Sequence, residues 1–311
     1  MESNKPKYAK GTPRGHHYVP RRYLVGFCAP GTQRLSLYDR ERNEYRENAL
    51  ASGLAKKKDF YALTNAEGDK DFSFESELER FESEGIDVIC KIDSREKITS
   101  AEKKALAIYA SLQQKRTIAF QKTFETAIEF SVRHILTEVF DEIEEKTGGL
   151  LFSDPESKIS LLEKVGKDVP KDVRRNAGIE AIIEAAERDA ESLLQLGWTI
   201  LYRPNQKTAF ITTDSPFCSI SMRTSDEDAS LGIANNFQVL PLSQNSVLVM
   251  LQGGGDVEER ILTRKEVREV NVQVAARCKD YVFGRERELI ERIVKECGIG
   301  DFKWKLKIEP A

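Results

Sequence analysis

Between Thr99 and Gly148 the chain carries neither glycine nor proline, and no other feature narrows its fold so far. Thr99, followed three residues on by Glu102, forms a capping box that starts a helix, each side chain satisfying a backbone N–H of the other residue. Leu106, Tyr109, Leu112, Phe120, Phe124, Ile128, Ile135, Val139 and Ile143 then recur at helical spacing. A straight helix over that span would exceed roughly 60 Å at about 1.5 Å per residue. The spacing therefore predicts a break, with Thr117 or Ser131 as its place. Upstream, Leu78, Phe81, Gly85, Val88 and Ile92 mark one face of a helix over 74–92. Downstream, a connecting region over 148–171 holds a short amphipathic segment at 159–165. Ile182, Ile183, Ala186, Ala190, Leu193 and Leu194 mark another helix over 179–196, which Gly197 stops.

Beyond Gly197 the period changes. Short apolar runs at 198–202, 209–213, 217–221, 237–240 and 246–251 are separated by turn residues and read as strands. A second capping box, Thr263 with Glu266, opens a helix to Arg277. A strand at 281–283 and a helix at about 285–296 follow. Near the start, 35–38 and 44–46 flank a polar turn and read as a β-hairpin, whereas Lys56-Lys57-Lys58 reads as a solvated loop. The predicted class is α+β: long helices in the middle, a mainly antiparallel sheet in the C-terminal third, and the N-terminal hairpin docked on it. Residues 1–14 read as a flexible tail and 15–311 as a single domain, helical over about 74–196 and β-rich over about 197–284.

Composition excludes several function classes. Hydrophobic residues make up 40% and charged ones 32%, enough apolar mass for a sizeable core. With 48 basic against 51 acidic residues the formal charge is −3, so no whole-molecule field draws in nucleic acid, although a near-neutral total can hide a local basic patch. No apolar run reaches the eighteen or so residues that span a bilayer, and residues 1–10 are polar, unlike a secretory leader. Cys28, Cys90, Cys218, Cys278 and Cys297 lack paired spacing, which argues against a disulfide framework or zinc ribbon and for a reducing cytoplasm. Oligomeric state is not encoded in any feature of the sequence.

Chemistry concentrates in a few places. His16 and His17, two of three histidines, precede Tyr18-Val19-Pro20. In an extended segment adjacent side chains alternate faces, so one histidine is expected to point inward and the other out. Either could anchor the segment by hydrogen bonds, or act as a general base or metal ligand. His-His-x-x-Pro matches the first half of an HNH nuclease motif, but His134, the remaining histidine, falls inside the long helical run. Asp214 follows a strand and precedes Ser215-Pro216; its carboxylate could close an Asx-turn or serve as a metal ligand or acid/base group. Asn271 shares a helical face with Val267, Val274 and Cys278, and Arg116 shares one with Tyr109, Leu112 and Phe120. Both should point inward, where a guanidinium needs a carboxylate or phosphate. Glu82 and Asp214 are the candidate partners of Arg116.

These segments together resemble an uncharacterised prokaryotic domain-of-unknown-function family whose members open with H-H-Y-V-P. Here that is His16 to Pro20. Tyr38-Asp39-Arg40 and Asp59-Phe60-Tyr61 resemble its hairpin, Phe74 to Glu82 its E-x-x-L-x-x-x-E helix, and Leu112 to Thr117 its L-Q-x-x-R-T segment. Thr212-Thr213-Asp214-Ser215-Pro216 resembles T-S-D-N-P, with Thr213 for serine and Ser215 for asparagine. Leu240 to Ser243 and Glu269-Val270-Asn271 complete the series. The resemblance implies one domain with the histidines, Arg116, Asp214 and Asn271 as a shared site, and it supplies no catalytic assignment.

Two functional expectations follow. In the first, the protein is a hydrolase acting on phosphodiesters, with His16 or His17 as base, Arg116 as anion clamp, Asp214 as acid/base group and Asn271 beside them. His17 and Asp214 are then the candidate ligands of a divalent metal, and nucleic acid is a substrate class the net charge does not support. In the second, it is a non-catalytic binding or regulatory domain in which the same residues form a buried network. Exposure separates the two, because a site must open to solvent.

Overall fold

The computed structural model describes residues 15–65, 67–148, 152, 154–222 and 235–299; the 1–14 tail and the end of the domain expected over 15–311 lie outside them. Strand β1 (Gly15–His17) leads through Pro20 into a short helix, α1 (Arg21–Val25). The hairpin of β2 (Arg34–Asp39) and β3 (Glu44–Leu50) follows, then the short strands β4 (Lys56–Lys58), β5 (Leu63–Thr64) and β6 (Lys70–Asp71). Helices α2 (Ser73–Asp93), α3 (Ser100–Lys115), α4 (Ile118–Thr147), α5 (Pro155–Asp168) and α6 (Lys171–Leu194) form the middle. The last third holds β7 (Gly197–Tyr202), β8 (Thr212–Thr213), β9 (Cys218–Met222), β10 (Asn235–Pro241), β11 (Ser246–Leu251) and β12 (Glu258–Ile261). Helix α7 (Arg264–Ala275), strand β13 (Tyr281–Gly284) and helix α8 (Arg287–Cys297) close the described chain. The α+β class read from the sequence is the class observed.

Local chemistry places the helix ends. Both capping boxes form, at Thr99 with Glu102 and at Thr263 with Glu266. The long glycine-free run breaks at Thr117, whose hydroxyl accepts the Phe120 N–H at 3.2 Å and so caps α4. Gly148 ends α4 in the left-handed region, at φ 68°. The apolar spacing along α4 does not translate into burial, however. Phe130, Ile135 and Val139 are 69%, 57% and 43% exposed, because among the described residues the 30-residue helix extends beyond the elements packed against it. Helix α5, longer than the segment read at 159–165, packs against it.

The C-terminal strands divide between two sheets. The larger has the order β12-β7-β11-β10-β9, antiparallel except where β12 runs parallel to β7. In the smaller, ordered β3-β2-β13-β8, the N-terminal hairpin is joined edge-on by β13. Alternation along the strands feeds two hydrophobic cores. Trp198, Ile200, Leu248 and Met250 face one that also holds Tyr23, Phe27 and the buried faces of α2, α3 and α6. Leu201, Val239, Val247 and Val249 face the other, beneath α7 and α8. Strand β2 splits likewise, with Leu35 and Leu37 in the first core and Tyr38 in the second.

Three readings of local structure change. The lysine run is a strand rather than a loop: β4 pairs antiparallel with β1, His16 opposite Lys57 and His17 opposite Lys56. All three lysines are exposed, so backbone pairing alone makes this strand and no alternation announces it. Strand β12 went unread for the same reason, its four residues being exposed throughout. The strand expected over 209–213 shrinks to Thr212–Thr213, because a side chain rather than a neighbouring strand satisfies residues 209 and 211.

Gly85 tests the packing of α2 on α3. A Cβ there would lie 2.3 Å from the Tyr109 ring, and Tyr109 is fully buried. Gly85→Ala is expected to destabilise the protein by about 1–3 kcal/mol through overpacking, although alanine ordinarily favours helix. Urea unfolding of the variant beside wild type measures this, and a stability equal to or above wild type would show that the two helices can separate freely.

Candidate functional site

Arg116 occupies the C-cap of α3 and reaches the H-H-Y-V-P segment. Its Nη1 donates to Glu82 of α2, its Nη2 to the His17 carbonyl at 2.7 Å, and its Nε to the Tyr61 hydroxyl at 3.2 Å. The Tyr61 hydroxyl in turn donates to the Arg116 carbonyl at 3.2 Å. Of the two partners expected for Arg116, Glu82 is the one found. Burial alone would lower the Arg116 pKa, but Glu82 and Tyr61 outweigh it and hold the guanidinium above its ordinary value.

His16 belongs to the same cluster. It is fully buried, and its Nδ1 accepts the Tyr61 backbone N–H at 2.9 Å. That places the proton of a neutral ring on Nε2, which lies 3.2 Å from the Glu75 carboxylate. Tyr61 stacks on the ring with an interplanar angle of 10°, and Phe72 meets it edge-on. His17 points the other way, as strand alternation requires. Burial, the Lys56 ammonium across the β1–β4 pair and the charge of Arg116 lower its pKa to about 4, against an opposing backbone hydrogen bond at Ser52. Its Nε2 is shielded and has no hydrogen-bond partner among the described residues.

Asp214 and Asn271 sit elsewhere. The Asp214 carboxylate accepts the backbone N–H groups of Lys279 at 3.0 Å and Asp280 at 2.9 Å, and its own N–H donates to the Tyr281 carbonyl. It therefore ties the approach of β13 to the end of β8. The local turn is made instead by Thr213, whose hydroxyl accepts the Ser215 N–H at 3.1 Å. Burial pushes the Asp214 pKa up to about 6, against the pull of those N–H donors. Asn271 accepts the Ile211 N–H at 3.1 Å and donates to the Ala209 carbonyl at 2.9 Å, standing in for the missing strand partner at 209–211. So the structure unites His16, the His17 backbone and Arg116, and sets Asp214 and Asn271 at two other joints.

Two anchors were not singled out from the sequence. The buried Tyr23 hydroxyl meets the Thr212 hydroxyl at 2.8 Å and donates to the Pro241 carbonyl at 2.6 Å, joining the turn after H-H-Y-V-P to two of the family-like segments. Asp93, at the end of α2, accepts from Ser243, Asn245 and Ser246 at 2.6, 3.0 and 2.6 Å. The position of Tyr23 just after the H-H-Y-V-P run was its only signal, and Asp93 had none. Open space next to the motif is a cavity of about 220 Å³ lined by Tyr18, Asp39, Arg42, Arg46, Lys56 and Tyr281 among others. His16, His17, Arg116 and Asp214 do not line it. Among the described residues no three His, Cys, Asp or Glu side chains gather where a metal ion could sit. His17, crowded by Lys56 and Arg116, is poorly placed for a cation.

Comparison with known proteins agrees with the resemblance read from the motifs. A family model described as "Protein of unknown function (DUF4238)" matches residues 15–288. No curated protein and no solved structure matches the chain. No helix among the described residues is long and apolar enough to cross a membrane.

The Arg116–Glu82 pair gives one expected outcome. Glu82→Gln leaves a buried guanidinium without its countercharge and should cost about 3–5 kcal/mol, whereas Glu82→Leu with Arg116→Met should recover most of that loss. Chemical denaturation of the three proteins measures it; a double variant as unstable as the single one would show that something beyond charge pairing is lost. His17 gives a second. Its folded pKa of about 4 lies below the unfolded 6.5, so its contribution is complete above pH 6.5 and lost as pH falls toward 4. Asp214, raised to about 6, contributes in the opposite sense, and its contribution disappears as pH rises through that value. Comparing wild type with His17→Gln isolates the first effect. The variant should lose less stability than wild type between about pH 7.5 and pH 4.5 in urea unfolding, and parallel losses would mean that His17 titrates normally.

Proposed function

We propose a non-catalytic binding or regulatory role for this chain, which belongs to the DUF4238 family of proteins of unknown function. One observation carries the proposal: Arg116, the group best suited to hold a substrate anion, is 3% exposed and bonded to Glu82, Tyr61 and the His17 carbonyl. A guanidinium so engaged is a joint between helices and strand. His16, Asp214 and Asn271 are equally buried, and their bonds go chiefly to backbone groups of other elements. The network thus fixes the H-H-Y-V-P segment and the 209–214 segment to the body of one domain, leaving surface cavities to do the binding. A reducing cytoplasm suits the chain, whose five cysteines are all free thiols.

The hydrolase reading keeps one observation in its favour. His17 is neutral at physiological pH, and its Nε2 has no hydrogen-bond partner among the described residues, so it is fit to accept a proton. Against that, Arg116 lends it no free donor, and Asp214 is turned toward residues 279 and 280.

Turnover of a chromogenic phosphodiester, with and without divalent metal, separates the two when measured on wild type, His17→Ala and Asp214→Ala beside their melting temperatures. Wild type is expected to give no turnover. Asp214→Ala leaves the part-buried backbone N–H groups of Lys279 and Asp280 without their acceptor and should lose about 1–3 kcal/mol in all. Metal-dependent turnover that His17→Ala abolishes at unchanged melting temperature would overturn the binding reading and establish the hydrolase.

A further inference from the structure

We propose that the groove between α7 and α8 binds a small nucleotide, its phosphates held at the rim and its base against the floor. This rests on the binding reading and names the ligand class. The cavity measures about 370 Å³, within the roughly 300–1,000 Å³ range of small-molecule sites. Lys207, Arg264, Lys265, Arg268, Arg285 and Arg292 line it against a single acid, Glu286. In a chain of net charge −3, this is a local positive field that the total conceals.

The cations are not all neutralised by neighbours. Lys265 lies 3.9 Å from Glu269, Arg285 lies 2.8 Å from Glu286, and Arg268 pairs with Glu296. Lys207 and Arg264 have no acidic partner among the described residues, and Arg292 donates only to the Glu288 backbone carbonyl. Arg264 and Arg292 are exposed and rise from different helices, so their planar guanidinium forks can meet a phosphate from two sides.

The floor calls for more than phosphate. Val267 and Ile293 are buried beneath it and Leu289 is partly exposed, giving an apolar surface that a bare inorganic anion would not use. Asn271 is occupied by the backbone of residues 209 and 211, so this floor is tied to the core. A flat apolar body carrying phosphate matches both parts, and the limited volume suits one nucleotide better than a strand.

The test is calorimetric titration of the full chain with ADP, inorganic pyrophosphate and a short single-stranded oligonucleotide, with phosphate release followed throughout. ADP is expected to bind more tightly than either other probe, and more weakly at higher salt. Arg264→Gln with Arg292→Gln should weaken ADP about tenfold or more through loss of charge-assisted hydrogen bonds. Leu289→Asn should weaken ADP and leave pyrophosphate unchanged, while Lys104→Gln, an exposed site on α3, should change nothing. Melting temperatures confirm that each variant is folded. Absence of ADP binding, or ADP binding indifferent to the double substitution, overturns the proposal. So does pyrophosphate binding as tightly as ADP, which makes the groove a bare phosphate site, or tighter oligonucleotide binding, which assigns it to nucleic acid. Phosphate released from ADP by wild type would instead overturn the non-catalytic reading, with the groove still judged by affinity.

Discussion

A guanidinium cannot shed its charge at any pH a protein meets, so a buried arginine obliges its surroundings to supply a carboxylate and further acceptors. Arg116 imposes that demand at the point where α3 ends and α4 begins. Glu82 brings α2 to it, Tyr61 brings the segment after β4, and the His17 carbonyl brings the H-H-Y-V-P strand. The break at Thr117 is part of the same solution. At the break the Arg116 carbonyl accepts the Tyr61 hydroxyl, and the Gln114 carbonyl accepts the Thr117 hydroxyl. One charged group thus ties the first strand to the point where the longest helical run divides.

The same economy of polar groups recurs at other joints. Asn271 replaces a strand partner, Asp214 gathers two N–H groups ahead of β13, and Asp93 gathers three side chains at the β10–β11 turn. Each lies where elements distant in sequence meet, and each satisfies two or more polar groups at once. Arg116, Asp214 and Asn271 each hydrogen-bond elements that are distant in sequence. The groups left facing open space are different ones: Tyr18 with Arg42 and Arg46 on one face, and the arginines of α7 and α8 on another.

Much of this was legible beforehand, for identifiable reasons. Helix boundaries followed from capping boxes and glycine, because those signals are local. The inward direction of Arg116 and Asn271 followed from helical periodicity, whereas the choice between Glu82 and Asp214 as the partner of Arg116 needed the fold. The opposite facing of His16 and His17 followed from strand alternation. What could not be read depends on pairing across long distances. Nothing in Tyr281 to Gly284 says that its neighbours are β2 and β8 rather than the larger sheet. Nor does Lys56-Lys57-Lys58 declare itself a strand, since its backbone rather than its side chains makes the contact. The apolar positions of α4 were read correctly as helix, yet Phe130, Ile135 and Val139 lie exposed, because periodicity reports a face and not what lies against it. Arg116 and Asn271 were correctly turned inward, yet turning inward from different elements does not bring two side chains to one place.

The insertion of β13 between β2 and β8 has a consequence for how the chain comes to be made. Strand β2 is complete within the first forty residues, but the strand that covers its edge is not synthesised until residues 281–284. During translation the N-terminal hairpin must wait with an unpaired edge while more than two hundred residues emerge, and such edges are where nascent chains associate wrongly. Closure of the smaller sheet is therefore a late event of high contact order. Asp214 shapes that event, since its carboxylate is positioned to receive the two residues that lead β13 into its slot.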